Sequence, residues 1–343
     1  MLGRNPGIVT TQGEIVSDLL RGEGYPVVEA SSIPGRARRL ADLIATVIRR
    51  RRDYDLIWLQ VFGGPSIVIE EIISRLGGWL GKPILMTVRG GAMPTFMARY
   101  PRLSRGVLRR AQIITVPSAY LQRALAEHGL ESRMIPNVIR AGAYPLRQRR
   151  ELAPRLLWMR TFHPLYNPAL AVRTLAGLRR TRPEATLVMA GQEKGIGDEV
   201  RALAHELGVS DAVRFAGFLD MDGKAREFAA ADVFLNTNDI DNTPVSVIEA
   251  CAAGLPVVAT RVGGLADLLD DGETGLLVPP GDADAMTAAV DRLLSDPDLA
   301  ERLSRQGAEL AARCRWDQVL PLWEQAFADA VDRESRSNRK AER

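Results

Sequence analysis

The sequence is poor in the residues that most often carry chemistry. It has two cysteines, Cys251 and Cys314, and three histidines, His128, His163 and His205, in 343 residues. Two thiols are too few for a disulfide framework. Each lies in a helix-like segment and reads as a reduced, buried thiol of a cytosolic chain. Without a Cys-x-x-Cys pair or a Cys/His cluster, a structural zinc site is not expected. Aromatics make up 6% of the residues and no nucleic-acid-binding motif appears, so nucleic acid is not an expected partner. No stretch approaches the roughly 18–20 uninterrupted apolar residues of a membrane span. The opening residues 1–14 lack the apolar run of a secretion signal. The expectation is a cytoplasmic protein.

What is present is ordinary in amount and uneven in placement. The 46% hydrophobic and 25% charged residues fall in the globular range, and at roughly 100–200 residues per domain the length suggests two domains. The formal charge of +3 conceals an asymmetry. Residues 1–150 hold 23 basic against 11 acidic side chains, and residues 151–343 hold 22 against 31. A basic half joined to an acidic half points to an anionic partner for the first.

The pattern along the chain is alternating strand and helix. In the first half, Asp55–Val61, Pro83–Val88 and Ala111–Val116 read as strands, with helical spacing over Ala37–Arg52, Pro65–Leu80 and Phe96–Arg110. In the second, strands are expected at Arg155–Met159, Ala185–Ala190, Val213–Ala216, Val233–Asn236, Leu255–Thr260 and Gly275–Val278. Helices fill the gaps at about 168–181, 197–207, 222–230, 244–253, 265–270 and 283–294, and two more follow near 298–312 and 316–330. This alternation predicts parallel sheets, with ligand at the carboxyl ends of the strands. Gly7–Gly13 reads as a glycine turn ahead of a helix over Glu14–Arg21, with its opening strand cut short. Residues 141–154, with Gly142, Pro145, Pro154 and several arginines, read as a linker, and residues 331–343 as a disordered polar tail.

Chemistry concentrates in Asn236–Gly254. A strand ends there in a polar loop, Thr243 is placed to cap a helix, and Pro244 falls in its first turn. The backbone N–H groups of Thr243–Val247, with the helix dipole, form an anion site suited to a phosphate. Glu249, one turn on, has two readings: an acceptor for hydroxyls such as those of a ribose, or a solvated surface residue on a capped helix.

The segment Glu249-Ala-Cys-Ala-Ala-Gly254-Leu-Pro256-Val-Val-Ala-Thr260 resembles the C-terminal motif of the family 4 glycosyltransferases of the GT-B fold. Val262-Gly-Gly264, Asp271-Gly-Glu-Thr-Gly-Leu-Leu-Val-Pro279 and Gly281-Asp282 follow in that family's order. Upstream, Val213-Arg-Phe-Ala-Gly217, Ala230-Ala-Asp-Val-Phe234, Ile135-Pro-Asn137 and Val116-Pro-Ser118 are similar too. The resemblance covers about residues 7–330 and is most specific across 213–282. It implies an α/β protein with two doubly wound Rossmann-like domains facing a central cleft: residues 1–140 on the acceptor side, and residues 155–315 binding the nucleotide sugar. The helix 316–330 then returns to the first domain. It implies transfer of a sugar from a nucleotide diphosphate sugar, with retention, to a lipid-linked or cell-envelope glycan acceptor. No metal or other cofactor is required, the nucleotide sugar being a co-substrate.

The resemblance also implies roles by position. Glu249 holds the nucleotide ribose. Asn242, Thr243, Pro244, Val245 and Ser246 hold the phosphate and sugar hydroxyls, and Gly13 lets its backbone approach the diphosphate. Arg160 stabilises the diphosphate, and Asp241, at the first position of the family's acidic pair, orients the sugar on a shortened arm. Where the family commonly has strand-His-Gly-Gly, this chain has Arg89-Gly90-Gly91. An always-charged Arg89 cannot mimic a neutral imidazole but can stabilise developing phosphate charge. The family's lysine shortly after Arg160 is missing; His163 or Lys194 either compensates for it or serves structure and solvation. The arginines at 99, 102, 105, 109 and 110 share the stretch 96–110 with Phe96, Met97, Tyr100, Leu103, Val107 and Leu108. That basic amphipathic helix suits an anionic membrane on the inner face of the plasma membrane, or is a solvated face over a buried stripe. The rivals to the transferase are a non-catalytic nucleotide-sugar-binding or scaffold subunit and a GT-B nucleotide-sugar epimerase.

Overall fold

The computed structural model describes residues 11–31, 33 and 35–341. The shortened first strand and most of the turn read at Gly7–Gly13 lie outside them. The chain divides into two compact units, Met1–Val138 with Trp316–Arg343, and Ile139–Arg315.

The first unit opens with α1 (Gln12–Gly22). Thr11 and Glu14 form a capping box: the Glu14 N–H donates to the Thr11 hydroxyl at 3.3 Å and the Thr11 N–H donates to the Glu14 carboxylate at 2.6 Å. The helix therefore starts before Glu14, and Gly13 lies inside its first turn instead of in a turn ahead of it. There follow α2 (Arg36–Arg49), β1 (Ile57–Val61), α3 (Ile67–Trp79), β2 (Ile84–Val88), α4 (Met93–Arg99), α5 (Pro101–Leu108), β3 (Ile113–Val116), α6 (Ala119–Glu127) and β4 (Arg133–Met134). The strands run parallel in the order β1-β2-β3-β4. Met86 and Val88 join Met93, Met97, Val107 and Leu121 in one apolar cluster, while Leu85 and Ile113 join Val16 and Leu20 in another. Covering both faces explains strands that are apolar at successive positions.

Two expectations fail here. The single helix over Phe96–Arg110 is two, because Tyr100 leaves the helical region (φ −129°, ψ 58°) ahead of Pro101. A proline ring disfavours helical backbone at the preceding residue. The helix α6 was not expected; Ser118 caps it by accepting the Leu121 N–H at 3.2 Å.

The second unit holds β5 (Arg155–Met159), α7 (Pro168–Leu178), β6 (Thr186–Ala190), α8 (Gly197–Glu206), β7 (Val213–Gly217), α9 (Met221–Ala230), β8 (Val233–Asn236), α10 (Val245–Ala252), β9 (Val257–Thr260), α11 (Leu265–Leu268), β10 (Leu276–Val278), α12 (Ala283–Ser295) and α13 (Pro297–Ala312). Its sheet is parallel throughout, in the order β10-β9-β8-β5-β6-β7. Strands are laid down outward from β5 on one side, and then, from β8, on the other. That reversal is the topological switch point at which doubly wound sheets open a crevice for ligand. Cys251 and Cys314 are buried free thiols in this unit, and burial pushes them up to about 12 and about 11.

The stretch 141–154 is not a linker. Tyr144 and Arg149 are buried in the second unit. The Arg149 guanidinium donates to the carbonyls of Phe228, Ala231, Arg147 and Ala253, at 2.6, 3.1, 2.8 and 2.6 Å. Those of Phe228, Ala231 and Ala253 belong to the carboxyl ends of α9 and α10, where helices leave C=O groups unsatisfied and favour a cation. A composition typical of linkers thus supplies a buried clamp.

The tail is not disordered either: α14 spans Trp316–Ala341. Val319, Trp323, Ala326 and Ala330 are buried in the cluster of Leu85 and Ile113. Beyond that stripe, Arg133 pairs with Asp329, and Gln112 donates to Glu334 at 2.5 Å while its carbonyl accepts from Arg333 at 3.0 Å. The polar end continues a helix already nucleated by packing.

Replacing Arg149 by Met takes its guanidinium from three helix-end carbonyls in the interior, and those of Ala231 and Ala253 keep only a donor from Arg147. The expected outcome is a loss of about 3 kcal/mol or more from the second unit, measured as a lower guanidinium chloride midpoint for its transition.

Candidate functional site

The two strands that flank the switch point deliver the key side chains. Arg160 follows β5 directly, and Asp241 lies on the loop that leaves β8. Arg160 Nη2 and Asp241 Oδ2 form an ion pair, with both side chains largely buried. The guanidinium also lies over the Tyr166 ring, 4.2 Å from its centroid, and its Nε is buried without a protein partner. Asp241 is held from its own loop: Oδ1 accepts the Asn242 N–H at 2.7 Å and Oδ2 accepts from Asn238 Nδ2. The loop is fixed to the scaffold as well, since Trp158 Nε1 donates to Thr237 Oγ1 at 2.8 Å and Thr237 Oγ1 donates to the Tyr166 carbonyl at 2.8 Å.

At the end of β8 and in the first turn of α10, buried polar side-chain atoms have no partner: Oδ1 and Nδ2 of Asn236, Asn238 Oδ1 and Ser246 Oγ. Unpaired buried polar groups cost about 1–3 kcal/mol each, so several gathered at one strand end mark a place prepared for polar ligand. The helix α10 begins beside them. The N-cap is not where it was expected: Pro244, not Thr243, occupies that position (φ −67°, ψ 120°), and the helix starts at Val245. Proline has no N–H to give and no side chain to cap with. The N-cap residue itself therefore takes none of the first N–H groups of the helix, and a helix start of this kind suits an anion. Asn242, Thr243 and Ser246 are buried beside them.

The loop has little freedom to spread. A Cβ on Gly263, whose φ is +47°, would lie 2.1 Å from the Asp241 carbonyl oxygen, and one on Gly264 would lie 2.2 Å from that of Asn242. The Val262-Gly-Gly264 motif is thus the backstop against which the Asp241 loop rests.

Glu249 is buried, which removes the reading of a solvated surface residue. Its carboxylate accepts from Tyr144 Oη at 2.6 Å and from Lys224 Nζ at 2.9 Å on both oxygens. Neither partner was anticipated. Tyr144 sat in the supposed linker, and Lys224 is an ordinary-looking position on α9. Tyr166, Asn236 and Asn238 were likewise missed, and only their nearness to strand ends could have drawn notice.

Lys194 is exposed on the loop after β6. Its neighbour Glu193 closes the start of α8, accepting the N–H groups of Gly195, Ile196 and Gly197 at 2.6, 3.0 and 3.0 Å. His163 uses Nδ1 to accept the Leu165 N–H at 3.2 Å, a local cap. In the first unit, Arg89 follows β2 and donates to Gln60 Oε1 at 2.5 Å and Asn137 Oδ1 at 2.7 Å. Desolvation lowers its guanidinium to about 9. Gly13 is buried in the first turn of α1, where Gln12 exchanges two 2.9 Å hydrogen bonds with the backbone of Val138. In the stretch 96–110, Met97, Ser104, Val107 and Leu108 face inward. Arg110 is bound to Glu71 at 2.5 and 2.9 Å, whereas Arg99, Arg102 and Arg109 are exposed beside Tyr100 and Leu103. Among the described residues no helix is long and apolar enough to cross a membrane.

Residues 148–310 match the family model described as glycosyl transferases group 1. The D-inositol 3-phosphate glycosyltransferase of Acidothermus cellulolyticus is 36% identical over 186 residues, covering 51% of this chain and 41% of that protein. The chain thus spans well under half the length of that relative. A GDP-mannose-dependent alpha-(1-6)-phosphatidylinositol monomannoside mannosyltransferase of Mycobacterium tuberculosis is 28% identical over 334 residues, covering 88% of this chain and 83% of that protein. Among solved structures, sucrose-phosphate synthase of Thermosynechococcus elongatus superimposes with a TM-score of 0.76 at 22% identity, over 92% of each chain. Anabaena HepE in complex with UDP and glucose does so with a TM-score of 0.73 at 19% identity, over 91% of this chain and 88% of that one. Over residues 148–310 the chain is similar to the group 1 glycosyltransferases, and its two Rossmann-like α/β domains have the GT-B fold.

Proposed function

We propose that the chain transfers a sugar from a nucleotide diphosphate sugar, with retention, to a lipid-linked or cell-envelope glycan. The observation that carries this reading is the group of unpartnered buried polar atoms at the end of β8 and the start of α10, on the loop that also carries the Asp241 partner of Arg160. A diphosphate answers that chemistry. It brings negative charge to the α10 N–H groups and to the free Nε of Arg160, and a sugar beside it brings hydroxyls for Asn236, Asn238 and Ser246. The named activities of the relatives, glycosyl transfer to an inositol phosphate and to a phosphatidylinositol mannoside, favour a phosphorylated or lipid-linked acceptor.

In this mechanism the leaving group is stabilised by a fixed cation and by helix amides, without a metal and without a protein nucleophile. Asp241 has two tasks: it keeps Arg160 in place before the donor arrives and orients a sugar hydroxyl afterwards. The pair is neutral as a whole, so a diphosphate meets no net repulsion from Asp241. Glu249 takes the ribose, and Arg89 and Gly13 retain the roles that the resemblance implies. The exposed Arg99, Arg102 and Arg109 beside Tyr100 and Leu103 are proposed to rest on an anionic membrane at its cytoplasmic face.

The deciding experiment is a panel of nucleotide sugars with released nucleotide as the readout. Nucleotide release that depends on a glycan or lipid-linked acceptor supports the reading. Tight binding without release across the panel makes the chain a binding subunit, and a changed sugar still joined to its nucleotide makes it an epimerase. Arg160→Ala is expected to lower turnover by about 2–4 kcal/mol in transition-state stabilisation, with a smaller effect on donor affinity. Glu249→Ala is expected chiefly to weaken nucleotide binding in calorimetry, and an unchanged affinity would remove it from the site.

A further inference from the structure

We infer that the donor ribose is read by an acid–base pair, Glu249 with Lys224, locked by Tyr144, and not by a carboxylate alone. This rests on the assignment of Glu249 to the ribose. A carboxylate offers about four lone-pair directions. Lys224 Nζ sits 2.9 Å from both oxygens and occupies one direction on each; Tyr144 Oη, 2.6 Å from Oε1, occupies a third. One direction, on Oε2, is left. Two neighbouring hydroxyls cannot both donate to it.

The ammonium supplies the missing partner. It has three N–H bonds, and two point at Glu249. The Lys224 side chain is 28% exposed while that of Glu249 is 7% exposed, so the third N–H is the part of the pair that solvent or ligand can reach. One ribose hydroxyl then donates to Glu249 Oε2, and the oxygen of its neighbour accepts from Lys224. The diol is recognised by one acceptor and one donor, a pattern that a single hydroxyl cannot complete.

The surroundings hold this arrangement in place. Tyr144 is buried with its ring edge-on to Phe228 at 5.3 Å, and its hydroxyl also lies 3.2 Å from Met221 Sδ. Burial and the negative charge of Glu249 push the phenol far above its ordinary range, so it remains a donor. The choice of lysine is itself informative. Lys82, Lys194, Lys224 and Lys340 are the only lysines in a chain with 45 basic residues. An arginine here would present a planar fork that saturates the carboxylate, whereas an ammonium keeps a rotating third donor.

The test is calorimetric titration of UDP, GDP and ADP, and then of the 2′-deoxy and 3′-deoxy forms of whichever binds. Wild type is expected to lose about tenfold in affinity for each missing hydroxyl. Glu249→Gln removes the more deeply buried of the two charges and keeps an amide oxygen for Lys224; it should reduce one of the two losses and keep the other. Adding Lys224→Met to Glu249→Gln should abolish the loss that remained. Tyr144→Phe should reduce both losses by loosening the carboxylate, with the fold checked by its melting temperature. If removing Lys224 from the Glu249→Gln background leaves the remaining deoxy loss intact, the inference is wrong. If Glu249→Gln leaves every affinity at its wild-type value, or no nucleotide binds, the ribose or donor assignment fails instead.

Discussion

Between β5 and β8 the chain reverses the side on which it adds strands, and the loops leaving those neighbours turn away from each other. Backbone cannot cover the gap this leaves, so its lining must come from side chains at the strand ends. Arg160 closes one wall and the Asp241 loop the other. Their ion pair is the link between them, and it forms only because β5 and β8 lie side by side in register. The connection from β8 reaches α10 through Pro244, an N-cap residue with no side chain to give to the helix start.

Burying so many polar groups requires rigid support nearby. Much of it comes from arginines that do no chemistry. Arg149 satisfies helix-end carbonyls, and Arg147 and Arg155 both bind the buried Asp232, at 2.6 and 2.7 Å. Both attachments sit at the amino-terminal edge of the sheet, away from the strand ends that carry Arg160 and Asn236. Among the described residues the buried side-chain polar atoms without a partner in this unit, in Arg160, Asn236, Asn238 and Ser246, are at the other end. The basic residues of this half thus divide between scaffold and site.

The sheet of the second unit was legible because its strands are short apolar runs separated by polar turns, and each expected run is a strand whose ends differ by at most two residues. Arg160, Asp241 and Glu249 were assigned their roles through the family resemblance, and the structure joins the first two in an ion pair. The failures share a cause: composition was taken as a guide where long-range contacts decide. Residues 141–154 read as linker because nothing local shows that Arg149 ends among helix carbonyls. The tail read as disordered because nothing local shows Gln112 waiting for Glu334. Phe96–Arg110 read as one helix because the apolar spacing outweighed Pro101, whose effect falls on the residue before it. Lys224 and Tyr144 could not be found at all, since they meet Glu249 across 25 and 105 positions of sequence.

The contact of Gly263 and Gly264 with the Asp241 loop has a mechanical meaning. Two carbonyl oxygens rest where side chains would otherwise be, so the loop and the segment that begins α11 move as one piece. A ligand that draws Arg160 from Asp241 acts on a body that includes the Val262–Gly264 turn, and the state of the ion pair is felt as far along the chain as that helix.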